Sequence, residues 1–237
     1  MRVGLTVLLV VACAGLAGLG VWQLHRAAEK QTRYRAYTEN QAAAPLDFAR
    51  RAPQAAAYDQ RWRRVNIRGR YLDWHVVLDN RVNQGHPGYE ILTPFVADND
   101  TTLLVDRGWV ALPDARTTLP EVLAPAEPLT ISGYIGPEPT VGIALGSSAA
   151  EAEIMRPNIF RVQSVKLPGL ATLLQRPLWP AIIYLDAAAP GALTVAWQAP
   201  GDGSARNRSY AVQWFAMAAV LAGIGVWNLY GKRWQRG

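Results

Sequence analysis

Two apolar stretches at the ends of the chain, Val3 to Leu24 and Ala211 to Tyr230, are each long enough to cross a bilayer and enclose one large polar segment. A spanning helix needs about 20 mostly apolar residues. The first stretch is interrupted only by Thr6 and Gln23, the second only by Gln213 and Asn228. The expected organisation is a transmembrane helix over residues 1–24, an extracytoplasmic β-rich domain over 25–210 whose segment 25–60 forms a helical stalk, a second transmembrane helix over 211–230 and a cytoplasmic tail over 231–237. Two crossings place both termini on one side of the membrane and the large domain on the other.

The formal charge of +6 raises the question of nucleic acid. Four of the 24 basic residues, Arg2, Lys232, Arg233 and Arg236, lie outside the bracket, leaving 20 basic against 18 acidic residues within it. A nearly neutral domain lacks the basic footprint of a nucleic-acid binder. Orientation is less direct. The tail favours cytoplasmic ends, whereas Arg26, Lys30, Arg33, Arg35, Arg206 and Arg208 sit in the loop beside the helix ends. Because the positive-inside bias fades for loops longer than about 60 residues, an extracytoplasmic domain is expected. Trp22 and Trp214 would mark its membrane interface, with Trp227, Tyr230 and Trp234 at the other.

The single cysteine, Cys13, lies in the first apolar stretch, so the domain holds neither a disulfide nor a thiolate ligand. The run Val10 to Cys13 is similar to a lipoprotein cleavage site, but the apolar run continues from Ala14 to Val21, as in an anchor. With three histidines, the common metal sites cannot be assembled, and no metal is expected. His75 and His86 read as surface or turn residues. His25 stands just outside the membrane, where a neutral imidazole could meet a cofactor entering from the bilayer.

From Val65 onward, short β-branched and aromatic runs alternate with Gly, Pro, Asn and Asp. Strands are expected at Val65 to Leu72, His75 to Asp79, Tyr89 to Val96, Thr102 to Val110, Leu129 to Ile135, Ile159 to Gln163, Ala181 to Leu185 and Leu193 to Trp197, with a hairpin loop at Ala97 to Asp100. The fold class is thus membrane-anchored α+β: two terminal transmembrane helices flank a mainly antiparallel barrel or sandwich with short helices. Helix is expected at the margins, over Arg26 to Glu39, Pro45 to Tyr58 and Leu170 to Gln175, and Thr140 to Pro157 reads as a loop.

No nucleotide loop, zinc spacing or nucleophile elbow is present in the sequence, and no catalytic residue is assigned. The charged residues Asp79, Arg81, Asp106 and Arg107, with Trp109 beside them, suit either a salt-bridge network pinning strand ends or a partner contact. Asp79 and Asp106 are also the carboxylates a hydrolase would use, though nothing else about them looks catalytic. At the membrane boundaries, Gln23 and Gln213 could bond across the helix pair, and Ala14, Gly18, Ala219 and Gly223 would allow close approach.

The segments Gly20 to Arg26, Arg68 to Leu72, Leu78 to Arg81, Gly88 to Pro94, Asp106 to Val110 and Tyr210 to Phe215 together resemble the Surfeit locus protein 1 family, the assembly factors of haem-copper cytochrome oxidase. The resemblance covers nearly the whole chain. It implies a bacterial inner-membrane protein with a periplasmic domain that assists haem a delivery or stabilises the oxidase catalytic subunit. Its implied partners are that subunit, the haem a synthesis machinery and membrane lipid, and no enzymatic activity is implied. The rim formed by Trp22, His25, Arg26, Asn207, Arg208, Tyr210 and Trp214 is the expected cofactor site. Where the family carries a histidine, three residues before the motif tyrosine, this chain has Asn207, and an amide is a poor iron ligand. A haem-free tether or envelope-binding module is the alternative function, and a periplasmic hydrolase a further one.

Overall fold

The computed structural model describes residues 2–48, 60–113, 122–139, 153–197 and 201–234. The chain divides into two compact units, Met1–Ala36 with Pro200–Gly237, and Tyr37–Ala199.

The first unit is a helix pair. Helix α1 (Arg2–Ala42) runs without a break through the expected Arg26–Glu39 helix and ends at Ala42, short of the stalk's expected limit at 60, and α3 (Ser204–Trp234) closes the chain. Within them, Gly4–Ala42 and Ser204–Asn228 each hold an 18-residue window, of mean hydropathy 2.3 and 1.5, long and apolar enough to cross a membrane. The helices meet at small residues, as interhelical packing requires, but not at the ones expected. Ala27 and Ala211 are buried between them. A Cβ on Gly20 would lie 2.7 Å from the Phe215 ring, so that aromatic side chain packs directly on backbone. By contrast, nothing approaches Gly18 or Gly223 within 4 Å, and Ala14 and Ala219 are exposed.

The second unit is β-rich. Its strands are β1 (Leu46–Asp47), β2 (Arg64–Tyr71), β3 (His75–Asn83), β4 (His86–Ala97), β5 (Thr102–Ala111), β6 (Leu129–Gly136), β7 (Glu153–Arg156), β8 (Ile159–Val162) and β9 (Ile182–Leu185). They form one sheet in the order β1-β2-β6-β9-β5-β4-β3-β8-β7, and a further β2–β4 pairing closes the β2-β6-β9-β5-β4 section into a barrel. Most pairings are antiparallel, while β1–β2, β3–β8 and β5–β9 are parallel.

Closure depends on β4 changing partners along one edge. Its first part pairs with β3 as far as Leu92 opposite Val76, and its last part pairs with β2 from Phe95 opposite Tyr71. Pro94 sits at the handover, where its missing N–H costs no ladder bond on that edge, and its carbonyl accepts the Leu72 N–H at 2.8 Å. Inside the barrel, alternate residues such as Ile67, Phe95, Leu103, Val105, Ile131 and Ile183 make the core. The opposite face of β3, β4 and β5 is also covered, by Leu167 and Leu170 of α2 (Leu167–Leu174) and by Val162 and Val165. Both faces being covered, these central strands read as continuous apolar runs, whereas β2 alternates.

The hairpin at Ala97 to Asp100 forms as expected, with Asp100 at φ 61 donating its N–H to the Ala97 carbonyl. Several expectations need correction. Leu193 to Trp197 is not a strand: only Thr194 bridges to Trp109. Leu46–Asp47 is strand at the start of the expected Ala-rich helix, and Glu153–Arg156 is strand within the expected loop. The rest of those two segments, 49–58 and 140–152, lies outside the described residues. His75 is buried rather than at the surface, because the first half of β3 is covered on both faces.

Candidate functional site

In a regular strand, side chains an odd number of residues apart point to opposite faces. Two β-bulges break that rule here. In β3, Leu78 pairs with Glu90 and Arg81 with Gly88, so the Leu78 to Arg81 segment carries one residue more than its partner, and Asn80 takes φ 59. In β5, Asp106 pairs with Leu92 and Gly108 with Ile91, leaving Arg107 as the extra residue. Gly108, at φ 115, adopts a conformation open to glycine, and a Cβ there would lie 2.6 Å from the Thr194 carbonyl oxygen. The bulges bring Arg81, Asp106 and Trp109 to the same face as Glu90.

On that face, Arg81 Nε lies 2.6 Å from Glu90 Oε2. Glu90 and Asp106 are both buried. Asp106 Oδ1 accepts the Gly108 N–H at 2.9 Å, while Oδ2 meets no N–H or hydroxyl donor. Burial, and next the neighbouring Glu90 carboxyl, hold the Asp106 pKa well above its ordinary 3.8. Asp106 therefore keeps its proton in the fold, beside Glu90. Above them opens a cavity of about 270 Å³ walled by Trp62, Trp109, Tyr184 and Trp197, with Arg81 and Glu90 in its lining. An adjoining crevice of about 10 Å³ reaches Asp106 and Tyr134, which is room for about one water. The Tyr134 hydroxyl is buried there without a hydrogen-bond partner among the described residues.

Arg107 points the other way, into the end of the barrel. Although it is only 2% exposed, no carboxylate meets it among the described contacts. Its Nε donates to the Gly191 carbonyl at 2.7 Å, Nη1 to Val122 at 2.6 Å and Nη2 to Leu123 at 2.7 Å. The guanidinium carbon also lies 5.6 Å from the centre of the Tyr71 ring. Burial pushes the Tyr71 hydroxyl up to about 12, against the opposing pull of Arg107. Nearby, His75 Nδ1 is 3.1 Å from Thr93 Oγ1. Burial first, and then the Arg107 charge, lower the His75 pKa.

The charged residues singled out from sequence therefore serve different sites. Asp79 accepts its neighbour's N–H, that of Asn80, at 2.7 Å within the β3 bulge. The carboxyl neighbour of Asp106 is Glu90, not Asp79, the residue a hydrolase would pair with it. Trp109 points its indole N–H at the Arg81 carbonyl, 3.4 Å away. Glu90, Trp62, Tyr184 and Trp197 were not singled out. The signal for Glu90 was a lone charge in an apolar strand, since a carboxylate is seldom buried unless paired.

The rim residues belong to the helix pair. Trp22, His25, Arg26, Arg208 and Tyr210 are exposed and Trp214 is half-buried. Arg26 pairs with Glu29 at 2.9 Å, and Arg208 donates to Gln31 Oε1 at 2.7 Å. Asn207 bonds on both sides: its Nδ2 donates to Gln23 Oε1 at 2.6 Å and its Oδ1 accepts from Lys30 Nζ at 2.7 Å. Gln23 thus pairs with Asn207, not with Gln213, which is exposed.

A family model described as the SURF1 family matches residues 10–219. Uncharacterized SURF1-like proteins of Mycobacterium bovis and Mycobacterium tuberculosis are each 30% identical to the chain over 213 residues, covering 88% of it and 75% of each relative. A SURF1-like protein of Rickettsia bellii is 33% identical over 112 residues, 46% of this chain and 44% of that protein. The family match runs through the whole barrel and into both terminal helices, so the chain belongs to the SURF1 family, which is linked in general to cytochrome oxidase assembly.

Proposed function

We propose that the protein is a non-enzymatic assembly factor for cytochrome c oxidase. In this reading α1 and α3 hold it in a bacterial inner membrane, with both termini cytoplasmic and the barrel periplasmic. The observation that carries the reading is convergence: Leu78 to Arg81, Gly88 to Pro94 and Asp106 to Val110, segments that bear the family resemblance, meet on one face through two bulges. The sequence features that define the family thus build a site.

Haem a is the cofactor the family implies, and the residue at the histidine position does not fit an axial ligand. An amide is a weak iron donor, and both polar atoms of Asn207 already bond to Gln23 and Lys30. His25, exposed on α1, is the one histidine of the rim. These observations favour stabilisation of the oxidase catalytic subunit over carriage of haem a on residue 207, with the haem a synthesis machinery as a second partner. Deleting the protein should lower the haem a absorbance of membranes and their cytochrome c oxidase activity; unchanged spectra and activity would overturn the reading. A pyridine haemochrome spectrum of the purified full-length protein should show no haem. Haem present in the wild type and lost in His25→Ala would move the site to His25.

A further inference from the structure

The cavity on the outer face of the barrel is the site that the converging segments build, and a ligand class for it can be tested by binding without reference to the oxidase. Its chemistry is specific. Indole and phenol rings of Trp62, Trp109, Tyr184 and Trp197 wall it, and aromatic surfaces of this kind attract cations through their quadrupoles. At its base, Glu90 and Asp106 are over nine-tenths buried, and they outnumber the single cation beside them, Arg81. Among the described residues, Asp106 Oδ2 meets no N–H donor and the Tyr134 hydroxyl has no hydrogen-bond partner; Tyr134 is also over nine-tenths buried, and both atoms border the crevice continuous with this wall. The volume of about 270 Å³ falls just below the roughly 300–1,000 Å³ of pockets for whole drug-sized ligands. It is the right size for the end of one long side chain.

We propose that this cavity is a binding site for an organic cation, the guanidinium or ammonium group of an arginine or lysine presented by a partner protein. The incoming cation takes the place of the proton on Asp106: that proton leaves to solvent, Asp106 becomes charged, and the two cations, Arg81 and the guest, balance the Asp106 and Glu90 carboxylates. No bond other than O–H is broken. The groups facing the acid pair are Arg81 from β3, Tyr134 from β6 and Tyr184 from β9. Burial holds both tyrosines neutral, as their pKa values are raised far above the ordinary 10.0. The exchange therefore involves the Asp106 proton alone. At the cavity edge, Glu138 pairs with Lys166 at 3.7 Å and adds no net charge.

The test titrates full-length protein in detergent with butylguanidinium chloride, using butyrate and neutral butylurea as controls, and follows tryptophan fluorescence and heat. Butylguanidinium alone should bind, releasing a proton and tightening with pH by up to about tenfold per unit while Asp106 titrates. Trp197→Ala should weaken binding about tenfold, and Glu90→Gln should abolish it. Arg81→Met decides the sign: removing the resident cation should tighten butylguanidinium binding if the cavity takes cations. Binding of butyrate, weaker butylguanidinium binding in Arg81→Met, or no binding by the folded wild type would each overturn the proposal. A blocked Gly-Arg-Gly peptide should compete with butylguanidinium. Failure to compete would overturn the assignment to a protein side chain and leave a free small cation as the ligand.

Discussion

Asp106 and Arg107 are neighbours in sequence, both almost fully buried, and belong to opposite environments. Inside the barrel, Arg107 is held by three carbonyl oxygens, those of Gly191, Val122 and Leu123, at 2.6–2.7 Å. Outside, Arg81 faces the Glu90–Asp106 pair under an open cavity. The interior charge ties together loops that the sheet itself does not join, and every atom of its fork is spoken for. The outer cluster keeps a protonated Asp106 and a Tyr134 hydroxyl without a partner among the described residues, next to open space. A buried charge that is fully bonded is structural, whereas one left partly satisfied beside a cavity is available for binding.

The contrast can be broken by mutation. Arg107→Met should be the most damaging change, because it strips the Gly191, Val122 and Leu123 carbonyls of a donor that is itself almost fully buried; about 3–5 kcal/mol of unfolding free energy should disappear in denaturant melts. A loss similar to that of an ordinary surface change would mean the barrel end is not held by this residue. Arg81→Met should cost about 1–2 kcal/mol, since its partner Glu90 is buried but the arginine itself is partly solvated. If both arginines cost the same, the two faces are not distinct.

The smallest effects are in pH dependence, where the faces should oppose each other. His75, whose pKa is lowered by burial, stays neutral in the fold while the unfolded chain takes a proton below 6.5. Its contribution to stability is therefore lost as pH falls below that value. Asp106, raised by burial, keeps its proton in the fold while the unfolded chain releases it above 3.8. Its contribution is lost as pH rises above that value. His75→Gln should flatten the acid side of a stability profile and Asp106→Asn the alkaline side. The same slope in either variant as in the wild type would show that the group does not titrate as its surroundings require.

Much of the strand content was legible because period and turn chemistry are local. Thr102 to Val110 and its hairpin loop stand out as an apolar run bounded by Asp and Asn. Very short strands such as Leu46–Asp47 carry no period at all. Barrel closure was hidden because it depends on β4 exchanging β3 for β2 at Pro94, an event between distant residues. The site was half visible. The charged motifs stood out, yet strict alternation would send Asp106 and Trp109 to opposite faces. Only the bulges, marked in sequence by Asn80 and Gly108, reunite them. Asn207 was recognised as a departure from the family, but its bonds to Gln23 and Lys30 depend on helix register, which hydropathy does not encode.

The bond between Lys30 and Asn207 joins residues 177 positions apart. At 5–20 residues per second, a ribosome needs roughly 9–35 s to travel between them. During that interval Gln23 and Lys30 have been made and their amide partner has not. The pairing of the two helices is consequently among the last events of biogenesis, after every strand of the barrel has left the ribosome. A chain arrested before Asn207 is a helix still waiting for its clasp, with a complete set of strands behind it.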